Sequence, residues 1–378
     1  MKRTFVGLIL AALVVASLVL VAIGISLVPG VRGRIEGLLS GRTIVPLELD
    51  KPGVRSDSGR VSRRIILEDH TIGMVTDIGW SGPTNDSLGQ IGVLGTSGLV
   101  VLTTELERRN STELFRPGVV TRRLTRFEAG GRLEFVSYKE PWGHTIDCRN
   151  STGARMWGRE FDDGINSVAV GDVTGDGIQE VVLGMNAGGG ILVLNAKGEA
   201  MSRIPELNVW CIGLCDIDGD GKCELVHADG RRLKFRAWTG EVVQEVVMSR
   251  QIQQFAVTKW SDRPNEWTIL VTGRESLVMI DMLGREIRSL NAPGCHIGGA
   301  IRSIMVRGAS NESVDYATLV SYPVWRRSIL LIYDGEFNLT FQEVFVGAIT
   351  ALTGKVGGDK PEIWLGVENG LLGYRVCR

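Results

Sequence analysis

The feature that most constrains this chain is a hairpin that keeps returning. An apolar run, a polar turn carrying glycine and a second run appear as "TIDCRNSTGARMW", "ILVLNAKGEAMSRI", "LKFRAWTGEVVQEV", "LVMIDMLGREIRSL" and "LLIYDGEFNLTFQEV". The turn glycines are Gly153, Gly198, Gly240, Gly284 and Gly335, at intervals of 45, 42, 44 and 51 residues. Between them lie short apolar runs broken by Gly, Asn and Asp, almost without helical periodicity, which reads as strand after strand. An all-strand period of ~40–50 residues is that of a propeller blade of four antiparallel strands. A linear β-solenoid would show shorter repeats. "GLVVLTTELERRNSTELF" is an earlier copy and "NGLLGYRVCR" a truncated last one. Residues 61–378 number 318, room for about seven blades. The expected fold is therefore all-β, a seven-bladed propeller over 61–378. Because the last copy stops after its third strand, residues 60–69, "RVSRRIILED", are expected to supply the fourth and leave no open sheet edge.

Ahead of the repeats, residues 5–28 form a run of 24 without a charge. That is long enough for a membrane helix, which needs ~20 apolar residues, and too long for the ~7–15-residue core of a cleaved signal. Residues 1–28 are thus expected to be a signal-anchor and the turn-rich, charged residues 29–60 a stalk. Lys2 and Arg3 before the span are balanced by Arg32 and Arg34 after it, so flanking charge does not set the orientation. Five acceptor sequons, at Asn85, Asn110, Asn150, Asn311 and Asn338, exceed the about two that chance supplies and favour an extracellular or lumenal propeller. A net charge of −1 gives no argument for nucleic acid.

Two stretches carry the most chemistry, "GDVTGDGIQEVVLG" and "CDIDGDGKCELV". Asp172, Thr174, Asp176 and Glu180 fill positions 1, 3, 5 and 9 of the first turn, and Asp216, Asp218, Asp220 and Glu224 the same positions of the second. Glycine at position 6 (Gly177, Gly221) permits a sharp reversal that aims alternate oxygens at one centre, where the backbone carbonyl of Ile178 or Lys222 can join them. Crowded carboxylates repel, and a hard cation taking six to eight oxygens at ~2.3–2.6 Å removes that repulsion, which favours Ca²⁺ over Mg²⁺. An EF-hand is excluded, because position 12 is Leu183 or His227 and not glutamate. A plain Asp-Gly hairpin turn is the rival reading.

These turns and this period resemble the FG-GAP/VCBS repeat family, whose members include the propeller heads of integrin alpha chains. The resemblance implies a seven-bladed propeller, Ca²⁺ in turns on one rim with the residues just named as ligands, and a binding role in adhesion or scaffolding. The chain lacks the Phe-Gly…Gly-Ala-Pro signature and carries its apolar span N-terminally, so integrin-type ligand recognition is not implied.

Six cysteines (148, 211, 215, 223, 295, 377) make no zinc pattern. Cys215 and Cys223 bracket the second acidic turn, and a disulfide between them is expected in an oxidising compartment. The four histidines are scattered, and His227 reads as an ordinary strand residue. The arginine pairs 63–64, 122–123 and 326–327 read as solvated. The overall expectation is a non-enzymatic, membrane-anchored binding or scaffold propeller with a protein or glycan partner and structural Ca²⁺. The alternatives are a propeller enzyme, of polysaccharide lyase or quinone-dependent dehydrogenase type, and a cytosol-facing scaffold.

Overall fold

The computed structural model describes residues 53, 55–57, 61–81, 90–103, 108–112, 122–129, 132–139, 142–150, 154–259, 267–272, 276–291, 300–307, 314–322, 326–335, 337–355 and 362–376. The apolar span 5–28, most of the stalk, Cys295, Cys377 and the sequons at Asn85 and Asn311 lie outside them. Among the described residues no helix is long and apolar enough to cross a membrane.

Among the described residues every regular element is a strand. The first full set is β3 (Val75–Ser81), β4 (Gln90–Gly95), β5 (Leu99–Thr103) and β6 (Arg108–Thr112), paired in that order. A seven-stranded sheet follows: β7 (Arg122–Ala129), β8 (Arg132–Lys139), β9 (Gly143–Asn150), β10 (Arg155–Gly171), β11 (Glu180–Met185), β12 (Ile191–Leu194) and β13 (Ala200–Ile204). Two four-stranded sheets come next. They are β14 (Ile212–Cys215), β15 (Glu224–Asp229), β16 (Arg232–Arg236) and β17 (Val242–Val247), then β18 (Gln254–Lys259), β19 (Trp267–Thr272), β20 (Ser276–Asp281) and β21 (Glu286–Asn291). The fifth sheet holds β22 (Ala300–Arg307), β23 (Val314–Tyr322), β24 (Arg327–Tyr333) and β25 (Leu339–Val346), and the sixth holds β26 (Leu352–Lys355), β27 (Glu362–Val367) and β28 (Gly370–Val376).

Among the described residues the sheets number six, which corrects the expected seven separate blades. The cause is β10, 17 residues long. Its first half pairs with β9 and its second half with β11, with a register shift between Glu160 and Ile165, so one strand joins what would be two sheets. The joined sheet folds on itself: Val136, Ile146 and Cys148 of one half pack against Val181, Leu183 and Leu192 of the other. The innermost strands β3, β7, β10, β14, β18, β22 and β26 adjoin one another in that order, and β26 returns to β3. An apolar layer fills the space between neighbouring sheets, as where Phe235, Phe255 and Ile269 meet.

The ring closes as the sequence implied. The N-terminal β2 (Val61–Glu68) lies antiparallel to β28, from Val61 opposite Val376 to Glu68 opposite Gly370, and completes the sixth sheet. The stalk is not wholly separate from the propeller, because β1 (Arg55–Asp57) adds a fifth strand beside β25. Backbone amides at the edge of β25 thereby gain partners inside the molecule.

The returning glycine has a geometric cause. Gly198, Gly240 and Gly284 have φ of 72°, 103° and 78°, each in the turn between the third and fourth strands of a set. Each turn ends in a bulge, the three-residue-loop geometry that needs a left-handed residue. The turn also rests on the preceding sheet. A Cβ on Gly198 would come within 2.6 Å of the Trp157 ring, and one on Gly284 would strike Val246. In the β24–β25 turn the left-handed residue is Phe337 (φ 58°) and not Gly335, which corrects the last member of the series. Its ring stacks on Tyr316 with centroids 4.7 Å apart, so packing offsets the backbone strain that glycine would have avoided.

Candidate functional site

Both acidic turns lie where expected, between the first and second strands of consecutive sets, β10–β11 and β14–β15. Each is built on its first aspartate. Asp172 accepts the amides of Gly175 at 2.6 Å and Gly177 at 2.7 Å, and Asp216 those of Gly219 at 2.6 Å and Gly221 at 3.1 Å. The position-9 glutamate reaches back under the turn, Glu180 to the Val173 amide at 3.0 Å and Glu224 to the Ile217 amide at 2.9 Å. Both glutamates are buried, and burial pushes their carboxyls above the usual range, with the neighbouring aspartates adding to the rise.

The two turns then differ. Asp216, Asp218 and Glu224 each bring a carboxylate oxygen to within 4.8 Å of the others. Oxygens around one ion at ~2.4 Å can stand no farther apart than about twice that radius, so this spacing suits a single hard cation. Asp220 does not belong to the group. It accepts the Lys222 amide at 2.8 Å and the Lys222 ammonium at 3.0 Å, and these bonds hold its carboxyl below the usual range. In the first turn Asp172, Asp176 and Glu180 do not converge in that way. Asp176 accepts the Ile178 amide at 2.8 Å, and Thr174 offers a neutral hydroxyl 3.5 Å from Asp172.

The turns also touch. The Cys223 amide donates to the Asp172 carbonyl at 2.8 Å, and the Lys222 stem lies where a side chain on Gly175 would sit. One sheet further on, the Trp267 indole donates to the Asp216 carbonyl at 2.7 Å. The first residue of each turn is thus gripped by the following sheet.

The expected Cys215–Cys223 disulfide is absent, and both residues are free thiols. Cys215 lies opposite Glu224 in the ladder, so Cys223, one residue earlier, faces the other way. Cys215 packs in the layer toward β18 and Cys223 in the layer toward β10. Burial pushes the Cys223 thiol up to about 11 and raises that of Cys215 well above its ordinary value, which makes both poor nucleophiles.

Sequence reasoning missed three charged clusters. Arg63 and Arg64 are not simply solvated, because they latch the closing strand. Arg63 donates to buried Glu343 at 2.6 Å, and Arg64 makes a two-pronged contact with buried Glu362 at 2.7 and 2.9 Å. Adjacent residues on one strand face opposite ways, so two neighbouring arginines serve two sheets. In the ring, Arg302 of β22 pairs with buried Asp77 of β3 at 2.7 and 3.0 Å. His227, an ordinary strand residue by sequence, accepts the Arg236 Nε–H at 3.1 Å, so its proton sits on Nδ1. Burial, together with Arg236 and Lys234 and against the pull of Glu206, lowers its pKa to about 4. The 3.8 Å approach of Glu206 is accordingly not an ion pair with the ring, and Glu206 is gripped by Arg236 and Lys234 instead.

Two sequons have described side chains, and both amides are engaged: Asn150 Oδ1 accepts the Ala154 amide at 2.9 Å, and Asn338 Nδ2 donates to Asp334 at 3.1 Å. Ala187–Gly190 joins β11 to β12 as a turn.

No family model matches the chain, and no curated protein matches it in sequence. Solved structures do match in shape. The BBS1N–ARL6DN complex matches at TM-score 0.57 and 14% identity over 87% of this chain and 98% of that chain. Virginiamycin B lyase from Staphylococcus aureus matches at 0.56 and 12%, over 84% and 99%. The WD40 domain of Neurospora crassa Pan2 matches at 0.52 and 12%, over 85% and 97%. Identities this low carry the fold alone, and the set spans a lyase and a protein complex, so the fold does not choose among functions. The chain is an all-β propeller of four-stranded antiparallel blades.

Proposed function

We propose that the chain is a non-catalytic binding or scaffold propeller that carries a protein partner on one rim, with Ca²⁺ held in the turn 216–224 and the propeller tethered to a membrane through residues 5–28. The observation that carries the binding reading is the self-sealed ring. Its N-terminal strand, latched by Arg63 and Arg64 on buried glutamates, makes a rigid platform whose loops are free to vary. The match to a propeller solved in complex with ARL6DN supports a protein as partner. The one ion pair described between separated inner strands, Asp77 with Arg302, is mutually neutralised, which supports a structural role over acid–base work there.

For the ion, the fit lies with Asp216, Asp218 and Glu224, whose convergence leaves three carboxylates close together, with the nearby Lys222 ammonium engaged by Asp220. Bound Ca²⁺ would balance that charge and stiffen the turn. In the turn 172–180, Asp172, Thr174, Asp176 and Glu180 are proposed as a weaker site that assembles on binding.

Cross-linking mass spectrometry on the full-length chain in its native membranes tests the binding reading. A stoichiometric partner with cross-links confined to one rim is expected. A chain that captures no partner but consumes a substrate, and loses that turnover with Asp77→Asn, would overturn it. Protease protection with glycan mapping fixes the side of the membrane: a glycan at any of the five sequons places the propeller outside or in the lumen, and digestion only after permeabilisation without glycans places it in the cytosol.

A further inference from the structure

We propose that the rim opposite the acidic turns binds an extended cationic segment of the partner protein, with Trp142 and Trp210 as its aromatic seats and Glu160, Asp162 and Asp163 as its acidic edge. The proposal rests on the binding reading above and adds the surface and the chemistry.

Strand direction places this rim. Antiparallel strands put the turns between second and third strands, and the crossovers between sets, at the end away from the acidic turns. Trp142 lies in the β8–β9 turn and Trp210 in the crossover 205–211 from β13 to β14. They are 52% and 47% exposed, yet their rings meet edge to face with centroids 6.3 Å apart. Leu207 of the same crossover is 85% exposed. Large aromatics left in water as an organised pair are the anchor type that dominates protein-binding surfaces.

The backbone around them is held in place. Asn208 donates to the Ala187 carbonyl at 2.8 Å, Val209 to that of Met185 at 2.9 Å, and Trp142 to that of Ile165 at 3.0 Å. Trp142, Ala187 and Asn208 all adopt left-handed φ, at 59°, 51° and 54°, half of the six non-glycine residues described in that region. Strained backbone of this kind gathers at ligand sites. Beneath them Asn166, buried on β10, donates to Asn208 Oδ1 at 3.2 Å while its own Oδ1 has no partner. Glu206 is fastened by Arg236 and Lys234, which fixes the base of the crossover. A surface ordered in advance loses less on binding.

The charge identifies the occupant. Glu160, Asp162 and Asp163 lie where β10 passes from one half of its sheet to the other, directly before Gly164, which abuts Trp142. Asp163 reaches across to Gly189 of the β11–β12 turn. No basic side chain among the described residues pairs with these three, whereas Asp147 and Glu206 have arginine partners. Arg159, the nearest arginine in sequence, is turned to the Gly198 carbonyl at the other end of the blades. Indole faces attract cations, and unpaired carboxylates beside them steer and retain positive charge. Aromatic seats from two connecting segments, with the acidic bend of β10 beside them, suit an extended chain alternating apolar and basic side chains.

The test is fluorescence anisotropy on the full-length chain with a labelled peptide of alternating arginine and leucine, and with its glutamate–leucine counterpart. The arginine peptide is expected to bind and the glutamate peptide not. Trp210→Ala should weaken binding by about tenfold or more without moving the unfolding midpoint. Asp162→Asn with Asp163→Asn should weaken it and flatten its salt dependence, and Trp210→Phe should recover part of the affinity. Equal binding of the two peptides, or wild-type affinity in Trp210→Ala, overturns the proposal. If a partner is cross-linked but the arginine peptide does not bind, this surface fails while the binding reading stands.

Discussion

Glu224 and Glu362 occupy the same place in two blades and live under opposite electrostatics. Each is the first residue of a second strand, β15 or β27, and they are only 8% and 1% exposed. Burial raises the carboxyl of Glu224, and Asp218 and Asp220 raise it further. At Glu362 burial pushes the same way, but the Arg64 guanidinium, together with Trp364 and Arg375, outweighs it and holds the carboxyl below its usual range. In the closing blade the chain supplies its own cation. In the blade of residues 212–247 it supplies two more carboxylates. The comparison shows that blades which bury a glutamate at this position, as the one with Glu180 also does, differ in the source of the compensating charge.

The largest way to sharpen that contrast is to add the missing charge. At a Ca²⁺ concentration a hundredfold above its Kd, the folded state should gain ~2.7 kcal/mol, read as a raised melting midpoint that chelator reverses. Glu224→Gln and Asp218→Asn should each abolish the gain, while Glu180→Gln should leave most of it. A wild-type midpoint indifferent to Ca²⁺ would falsify the cage. The converse is to take away the charge at Glu362. Arg64→Ala should cost roughly 2 kcal/mol in urea unfolding, a figure below that for a fully buried pair because Arg64 is half exposed. Adding Glu362→Gln should recover part of the loss, and strictly additive effects would refute the latch.

Acid should also separate the two blades. His227 lies three residues beyond Glu224, where the closing blade has Leu365. With a folded pKa of about 4 against ~6.5 unfolded, the unfolded chain binds the proton first, so stability is full above pH 6.5 and falls as pH drops toward 4. The loss from pH 7.5 to 5.5 should be about 1.4 kcal/mol and should vanish in His227→Gln. The smallest effect expected is that of Lys222→Ala. Its ammonium pairs with Asp220 with both side chains exposed at the surface, so the unfolding midpoint should hold, while Ca²⁺ affinity in calorimetry should rise a few-fold as Asp220 is released.

The strand repeat, the hairpin glycines at 198, 240 and 284 and even the strand that closes the ring were legible from spacing, because turn chemistry and period are local properties. The sheet count was not, since nothing in "GREFDDGINS" signals that β10 runs unbroken from one set of strands into the next. The acidic turns were legible as turns. Their unequal convergence was not, because it depends on where Asp218 and Lys222 point, and spacing is silent on that. Facing was misjudged for Cys215 and Cys223, where alternation along a strand sends neighbours into different layers. The arginines at 63–64 looked solvated because their glutamates lie 280 and 298 residues away.

That distance has a consequence for how the molecule is made. The ladder between β2 and β28 joins the two ends of the propeller, so during synthesis the circle stays open until Gly370–Val376 has left the ribosome. Until then Arg63 and Arg64 have at most part of their docking surface, and the emerging sheets must keep apart while they wait. Such long-range pairing makes folding slow, and chaperone engagement should persist until β28 has emerged.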